Sequence, residues 1–212
     1  MILWRPVGLE ELRLVYEADM RSFPPRLPEQ PIFYPVLNEW YARGIAEDWN
    51  TKSDSLGGFV TKFSVDDAYV SKFEPHVVGT RRHEELWVPA EELDDFTLHI
   101  EGAIVVTSAH FGEGYRGHVP TQFGLKGKDA TEQFIALAKT LPYSGMDFAC
   151  EIAANHTTIW LNFFFWQRVE FEPPDSSSED RGKTLEAIRA MWRAGDHGAV
   201  PLGAVNPNGR KP

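Results

Sequence analysis

The sequence has a single cysteine, Cys150, and this scarcity restricts the chemistry open to the chain. One cysteine cannot form a disulfide within the chain, and zinc sites built from several cysteines are excluded. Disulfide-free chains are typical of reducing compartments, so the composition predicts a cytoplasmic protein. Cys150 lies in an apolar stretch with no motif around it, so a buried and unreactive thiol is expected.

Basic residues and long apolar runs are also scarce. Lys and Arg number 21 against 31 Asp and Glu, which gives a formal net charge of −10. Binding to bulk nucleic acid is not expected, because it requires a basic surface. The longest apolar stretch, 157–166, contains Asn162 and is shorter than the roughly 20 residues that cross a bilayer. No basic segment followed by an apolar one opens the chain, so neither a secretory signal nor a membrane span is expected.

The first half of the sequence alternates between strand and helix patterns. Residues 2–5 form a short strand pattern that Pro6 is expected to stop, and Asn38 has the position of a helix N-cap. Helical spacing and period-2 alternation predict the remaining elements. These are helices over 8–20, 39–50 and 89–96, with Pro89 in the first turn, and strands over 59–65, 84–88 and 102–111.

The second half of the sequence differs in composition and in its pattern of predicted elements. A glycine-rich stretch, 112–119, precedes a predicted helix over 129–141. Residues 147–166 are predicted to form a β-hairpin around "ANHT", and a last helix follows over 183–195. The strand at 157–166 carries bulky groups on both faces, which indicates a central strand or a homodimer interface.

The predicted fold class is therefore α+β. Residues 1–111 are predicted to form one domain, 119–195 a C-terminal helix–hairpin–helix extension packed on it, and 196–212 a tail without periodicity.

The strand "HEELWV" raises a functional question. Alternation places His83, Glu85 and Trp87 on one face, while Leu86 and Val88 on the other face belong in the core. Glu85 therefore faces either a cleft or solvent. A charged edge strand that discourages aggregation gives the same pattern, so both interpretations stay open.

Three stretches resemble the ADP-ribosyltransferase-like fold of NAD-using toxins and their relatives. "LWRPVGLEEL" is similar to the opening strand of that family, with an arginine shortly before a helix. "IFYPVLNEWYARGIAEDWN" is similar to its aromatic strand and following helix. "HEELWVPAEEL" resembles the Gln/Glu-x-Glu strand, with Glu85 four residues before Pro89. The resemblance covers roughly residues 1–108, where "HIEGAIVV" is similar to the closing strand, and it implies a split mixed or antiparallel sheet with short helices.

The resemblance also implies a substrate and a set of roles. NAD is the substrate, and no metal is expected. Glu85 is the catalytic carboxylate that stabilises an oxocarbenium-like ribose. His83 stands at the first position of the motif and orients the acceptor nucleophile or takes its proton. Arg5 binds a phosphate or ribose oxygen of NAD, and the ring of Tyr34 or Phe33, with Tyr41 as a further candidate, stacks on nicotinamide.

Three hypotheses for function remain after the sequence is read. The first is an enzyme that transfers ADP-ribose from NAD to an unknown acceptor or hydrolyses NAD, with Arg5, Tyr34, His83 and Glu85 lining one cleft. The second is an inactive relative that acts as a binding or immunity protein for a protein partner. It predicts no NAD-sized cleft and an exposed aromatic patch in the second half. The third is an α+β protein whose similarity to the family is accidental.

Overall fold

The computed structural model describes residues 1–79, 83–174, 177–195, 197 and 200–203. These residues form two compact units, with the division between Glu113 and Gly114. The fold is mixed α+β with small antiparallel sheets, in agreement with the predicted class. No helix in the described part of the chain is long and apolar enough to cross a membrane.

The first unit contains all the strands of the described chain. Its elements in chain order are β1 (Ile2–Gly8), α1 (Leu9–Glu17), β2 (Ile32–Phe33), α2 (Glu39–Asp48), β3 (Gly57–Val65), α3 (Asp67–Val70), β4 (Pro75–Val77), β5 (Glu84–Leu86), β6 (Val88–Pro89), α4 (Leu93–Leu98) and β7 (Ile100–Phe111). The main sheet has the antiparallel order β1-β3-β7, and β2-β6 and β4-β5 are two-stranded pairs.

Strand β1 continues through Pro6, so the prediction that Pro6 stops it was wrong. Pro6 is paired with Val60 of β3. In a strand, the backbone nitrogens of residues i and i+2 point to the same side, so those of Trp4 and Pro6 do. Trp4 N donates a hydrogen bond to Val36 O on the side away from β3. The nitrogen of Pro6 therefore faces the outer edge of β1, where the main sheet needs no donor.

Helix α2 packs on the sheet through two alanines. The predicted N-cap is confirmed, because the Asn38 side chain accepts a hydrogen bond from Tyr41 N at 2.8 Å. Ala42 and Ala46 are fully buried and cluster with Val60 of β3. Helix and strand approach so closely that a Cβ on Gly58 would lie 2.1 Å from the carbonyl oxygen of Ala46. The small side chains therefore set the distance between α2 and the sheet.

The second unit is helical in its described residues. Its helices are α5 (Ala130–Thr140), α6 (Gly145–Ala154), α7 (His156–Trp166) and α8 (Ser178–Ala194). The two helices predicted over 129–141 and 183–195 are confirmed, and a capping box of Asp129 and Glu132 begins α5. Of the predicted tail, residues 196, 198–199 and 204–212 lie outside the described residues.

The predicted β-hairpin over 147–166 was wrong, because this segment forms α6 and α7. Helix α7 is apolar around its whole circumference, and Trp160, Phe163, Phe164 and Trp166 are all at most 2% exposed. A helix buried on every side has no polar face, so its sequence has no helical period that could separate it from a buried strand.

Two further predictions depended on that hairpin. The strand at 157–166 that was expected to form a homodimer interface is helix α7 instead, and homodimerisation itself stays a prediction. Cys150 was expected to be buried in an apolar strand. It lies instead on α6 with an exposed side chain, because the helical period turns this position toward solvent.

A buried polar network fixes the loop before α5. Asn162 on α7 is fully buried; its Oδ1 accepts from His118 N at 2.8 Å, and its Nδ2 donates to His118 O at 2.9 Å and to Gln133 Oε1 at 2.9 Å. Gln133, also fully buried, donates a second bond to His118 O at 2.9 Å. The loop at His118 is therefore held by side chains from two helices.

Replacing Asn162 by leucine is expected to lower the free energy of unfolding by about 2 kcal/mol, because buried partners lose their hydrogen bonds. Gln133→Leu is expected to have a similar effect. The double variant should lose less than the sum of the single variants by at least about 0.5 kcal/mol, since the two amides share one network. Urea unfolding of the four proteins gives the coupling energy, and strictly additive losses would show that the network is not cooperative.

Candidate functional site

The first unit contains a pocket of about 680 Å³. Aromatic side chains dominate its walls, and two carboxylates, Asp48 and Glu85, are among them. The lining residues are Pro6, Tyr34, Val36, Trp40, Tyr41, Gly44, Ile45, Asp48, Trp49, Val78, His83, Glu85 and Trp87. The size is in the range of small-molecule and cofactor sites.

Helix α2 supplies one wall of the pocket. Tyr41, Ile45 and Trp49, four residues apart on the helix, face the pocket, while Ala42 and Ala46 turn toward the sheet. Gly44 lies in the middle of this wall, and a Cβ added there would meet nothing within 4 Å. A glycine inside a helix destabilises it, and here it leaves free space beside the helix backbone.

Backbone pairing holds Glu85 in the pocket lining that faces α2. Val36 forms antiparallel bridges with both Trp4 of β1 and Glu85 of β5. Leu37 N bonds Glu84 O at 2.9 Å, and Leu86 N bonds Pro35 O at 2.8 Å. Residues 35–37 thus connect β5 to the outer edge of β1, so Glu85 is held by the sheet and not by a free loop.

The alternation predicted for residues 83–88 is confirmed. His83, Glu85 and Trp87 line the pocket, whereas Leu86 and Val88 are buried at 1% and 0% exposure. Glu85 itself is only 9% exposed. Trp87 Nε1 donates a hydrogen bond to Glu85 Oε1 at 2.8 Å, and Tyr41 OH donates a long one to Oε2 at 3.4 Å. Both carboxylate oxygens are therefore oriented by aromatic side chains.

The rings form two groups around Glu85. Tyr34 and Trp87 meet at 90°, with their centroids 6.1 Å apart. On the other side His83 stacks on Tyr41 at 4.3 Å with an interplanar angle of 3°, and Trp40 lies 5.6 Å from His83. One residue of each group, Trp87 and Tyr41, donates a hydrogen bond to Glu85, so the carboxylate lies between the two groups, which form two aromatic walls of the pocket.

Of the predicted site residues, Tyr34, His83 and Glu85 come together in the pocket, and Arg5 and Phe33 are not among its lining residues. Phe33 is fully buried against Phe23 and Phe96. Arg5 is 6% exposed and stacks over Phe33 at 4.4 Å.

Arg5 forms part of a partly buried charge cluster that contacts the backbone of Tyr34. Its Nε bonds Glu11 Oε1 at 2.7 Å, and its Nη1 donates to Tyr34 O at 3.3 Å. Arg26 lies 4.0 Å from the same carboxylate. Burial lowers the pKa of Arg26, and the charge of Arg5 lowers it further. Two guanidinium groups thus share one carboxylate and leave a surplus positive charge.

Trp40, Gly44, Asp48 and Trp87 were not identified as site residues from the sequence. Trp40 and Trp87 are 61% and 45% exposed, and both line the pocket. For Trp87 the sequence signal was the alternation that places it on one face with His83 and Glu85, and for Gly44 it was a glycine inside the aromatic helix "EWYARGIAED". Among the described residues, no group of three or more His, Cys, Asp or Glu side chains is placed to hold a metal ion.

Tyr41 gives the site a measurable pH dependence. Burial raises the pKa of the Tyr41 phenol, and the neighbouring Glu85 carboxylate raises it further. Below pH about 10, the ordinary pKa of tyrosine, both folded and unfolded states keep the proton and stability is unaffected. Above it the unfolded state releases the proton first, so stability falls as pH rises toward the folded pKa.

Tyr41→Phe should therefore flatten the decrease in stability above pH about 10, because the variant has no phenol to ionise at this position. Urea unfolding of both proteins between pH about 8 and 11 measures the difference. Parallel decreases in the two proteins would contradict the raised pKa.

Comparison of this chain with protein-family models, with curated proteins and with solved structures gives no match.

Proposed function

We propose that the first unit binds NAD in the aromatic pocket and breaks the bond between nicotinamide and ribose, passing ADP-ribose to an acceptor or to water. The observation that carries the proposal is Glu85, a nine-tenths buried carboxylate between two aromatic walls. Nicotinamide in NAD is a flat ring with a positive charge, and such a ring is attracted by aromatic faces and by a carboxylate.

The proposed reaction uses Glu85 as an electrostatic catalyst. The bond between C1′ of ribose and N1 of nicotinamide breaks, and its electron pair goes to N1, so neutral nicotinamide leaves. The ribose becomes an oxocarbenium ion, which a fixed carboxylate stabilises. The hydrogen bond from Trp87 Nε1 fixes Glu85 Oε1 before the reaction, so little reorganisation is needed.

His83 is the proposed base for the second half of the reaction. An acceptor oxygen or a water molecule attacks C1′ and must release a proton, and an imidazole can take it. His83 lines the same pocket as Glu85, and its ring is held against Tyr41 by stacking. These contacts give the imidazole a defined orientation beside the carboxylate.

The diphosphate of NAD is assigned to the charge cluster that contacts the backbone of Tyr34. Arg5 and Arg26 face a single carboxylate, Glu11, and the side chain of Tyr34 lines the pocket. A bound diphosphate would reduce the repulsion between the two guanidinium groups, and charge-assisted bonds to phosphate are among the strong hydrogen bonds of proteins. Arg26 thereby joins Arg5 as a proposed phosphate contact.

The inactive binding-protein hypothesis predicted a different arrangement. It required an exposed aromatic patch in the second half; Trp160, Phe164 and Trp166 of α7 are at most 2% exposed, and the exposed aromatic side chains there are Phe123 and Tyr143. The exposed tryptophans Trp40 and Trp49 surround a pocket of cofactor size instead. These observations favour the enzyme hypothesis.

The test is the release of free nicotinamide from NAD, together with calorimetric binding of NAD. Wild-type protein should bind and cleave NAD, and Gly44→Leu should do neither, because leucine extends into the open space of the α2 wall. Gly44→Ala is the matched control, since it adds only one methyl group at the same position. No NAD binding by wild-type protein, or equal activity in Gly44→Leu, would refute the proposal.

A further inference from the structure

The two aromatic walls of the pocket meet at a single carboxylate. Tyr34 and Trp87 form one corner with perpendicular rings, and Tyr41 and His83 form a stacked pair on the other side. Glu85 accepts one hydrogen bond from each wall, from Trp87 and from Tyr41. A group bound above Glu85 would therefore contact ring systems and a negative charge together.

The charged side chains among the described lining residues of this pocket are acidic. Glu85 and Asp48 line it, and no lysine or arginine is among its described lining residues. The faces of aromatic rings carry the negative part of their quadrupole. The formal net charge of the whole chain is −10, which adds a long-range attraction for cations.

We infer that the pocket is a receptor for an alkylated nitrogen cation, either an N-alkylated pyridinium or a quaternary ammonium group. Such a cation has no N–H group to donate, so ring faces and a carboxylate hold it better than hydrogen-bond acceptors alone. This inference goes beyond NAD cleavage, because it concerns binding without any reaction and includes ammonium ligands. The volume of about 680 Å³ leaves room for the rest of a larger molecule beside Gly44.

Two pairs of ligands of equal shape and different charge test the inference. Choline is compared with 3,3-dimethylbutan-1-ol, and 1-methylnicotinamide is compared with 3-methylbenzamide; in each second compound carbon replaces the charged nitrogen. Calorimetry on wild-type protein should show at least about tenfold tighter binding of the charged member, the size of a desolvated cation–π contribution. Preference in the pyridinium pair alone supports a nicotinamide-type ligand, and preference in the choline pair alone supports an ammonium ligand.

Three variants locate the preference. Glu85→Gln should weaken the charged ligand and leave its neutral partner unchanged, and Gly44→Leu should abolish binding by filling the pocket. Asp94→Asn removes an exposed carboxylate of α4 outside the pocket, and it should not change the affinity for either member of a pair. This control distinguishes the effect of the charge on Glu85 from the effect of the net charge of the chain.

Equal binding within both pairs, no binding of any ligand, or an unchanged preference in Gly44→Leu overturns the inference. No NAD is present in these measurements, so the result is independent of whether the chain cleaves NAD.

Discussion

Glu85→Gln is expected to lower the rate of nicotinamide release by about 10²–10³-fold. The amide keeps the size of the side chain and can still accept the hydrogen bond from Trp87 Nε1. It lacks the negative charge that stabilises the oxocarbenium ion, so the loss should fall on kcat far more than on KM. Single-turnover kinetics with NAD, read as free nicotinamide, measure the chemical step directly.

The control variant keeps the Glu85 carboxylate but removes a hydrogen bond that orients it. Trp87→Phe retains a ring in the wall but loses the donor to Glu85 Oε1. Its rate should fall between that of wild-type protein and that of Glu85→Gln, because the charge remains but is less well fixed. If Glu85→Gln cleaves NAD at the wild-type rate, Glu85 is not the catalytic carboxylate, whatever NAD binding shows.

Gly58→Ala is expected to destabilise the first unit by about 3 kcal/mol or more, since overpacking a tight contact forces backbone shifts. The new Cβ would lie 2.1 Å from the carbonyl oxygen of Ala46 and 2.8 Å from its carbonyl carbon. These are backbone atoms of α2 and cannot rotate away as a side chain would. Helix and strand must separate, and the α2 wall of the pocket should move with the helix.

The same chemical change at Gly44 provides the matched control. Gly44 lies in α2 itself, and an added Cβ meets nothing within 4 Å. Gly44→Ala should therefore stabilise the protein by about 0.5–1 kcal/mol, the gain in helix propensity. Urea unfolding of both variants against wild-type protein tests the contrast in sign. Similar effects of the two substitutions would mean that α2 and β3 are not in close contact.

The sequence by itself determined the elements that depend on neighbouring residues. Asn38 predicts the start of α2 because its side chain can cap a free N–H of the first turn, and it does so. The alternation in "HEELWV" predicts which side chains share a face, because successive residues of a strand point in opposite directions. His83, Glu85 and Trp87 accordingly line one pocket.

Local sequence patterns did not predict the place of Pro6 within a strand, the helical structure of α7 or the ion-pair partner of Arg5. Pro6 is accommodated because its nitrogen faces away from β3, so the pairing of β1 with β3 loses no donor at this position. Helix α7 has no polar face, so only its packing in the second unit separates it from a strand. The partner of Arg5 is Glu11 on α1, and two charged side chains from different elements meet only when those elements are packed.

The pocket was likewise decided by tertiary structure. Trp40 and Trp87 lie far apart in the sequence, and no local pattern predicts that they line the same pocket. They line one cavity because residues 35–37 pair with both β1 and β5, while Ala42 and Ala46 hold α2 against the sheet. Local sequence patterns predicted the face of the strand on which the Glu85 side chain lies. Its enclosure by aromatic side chains came from long-range backbone pairing and close packing, because enclosure depends on contacts between distant segments.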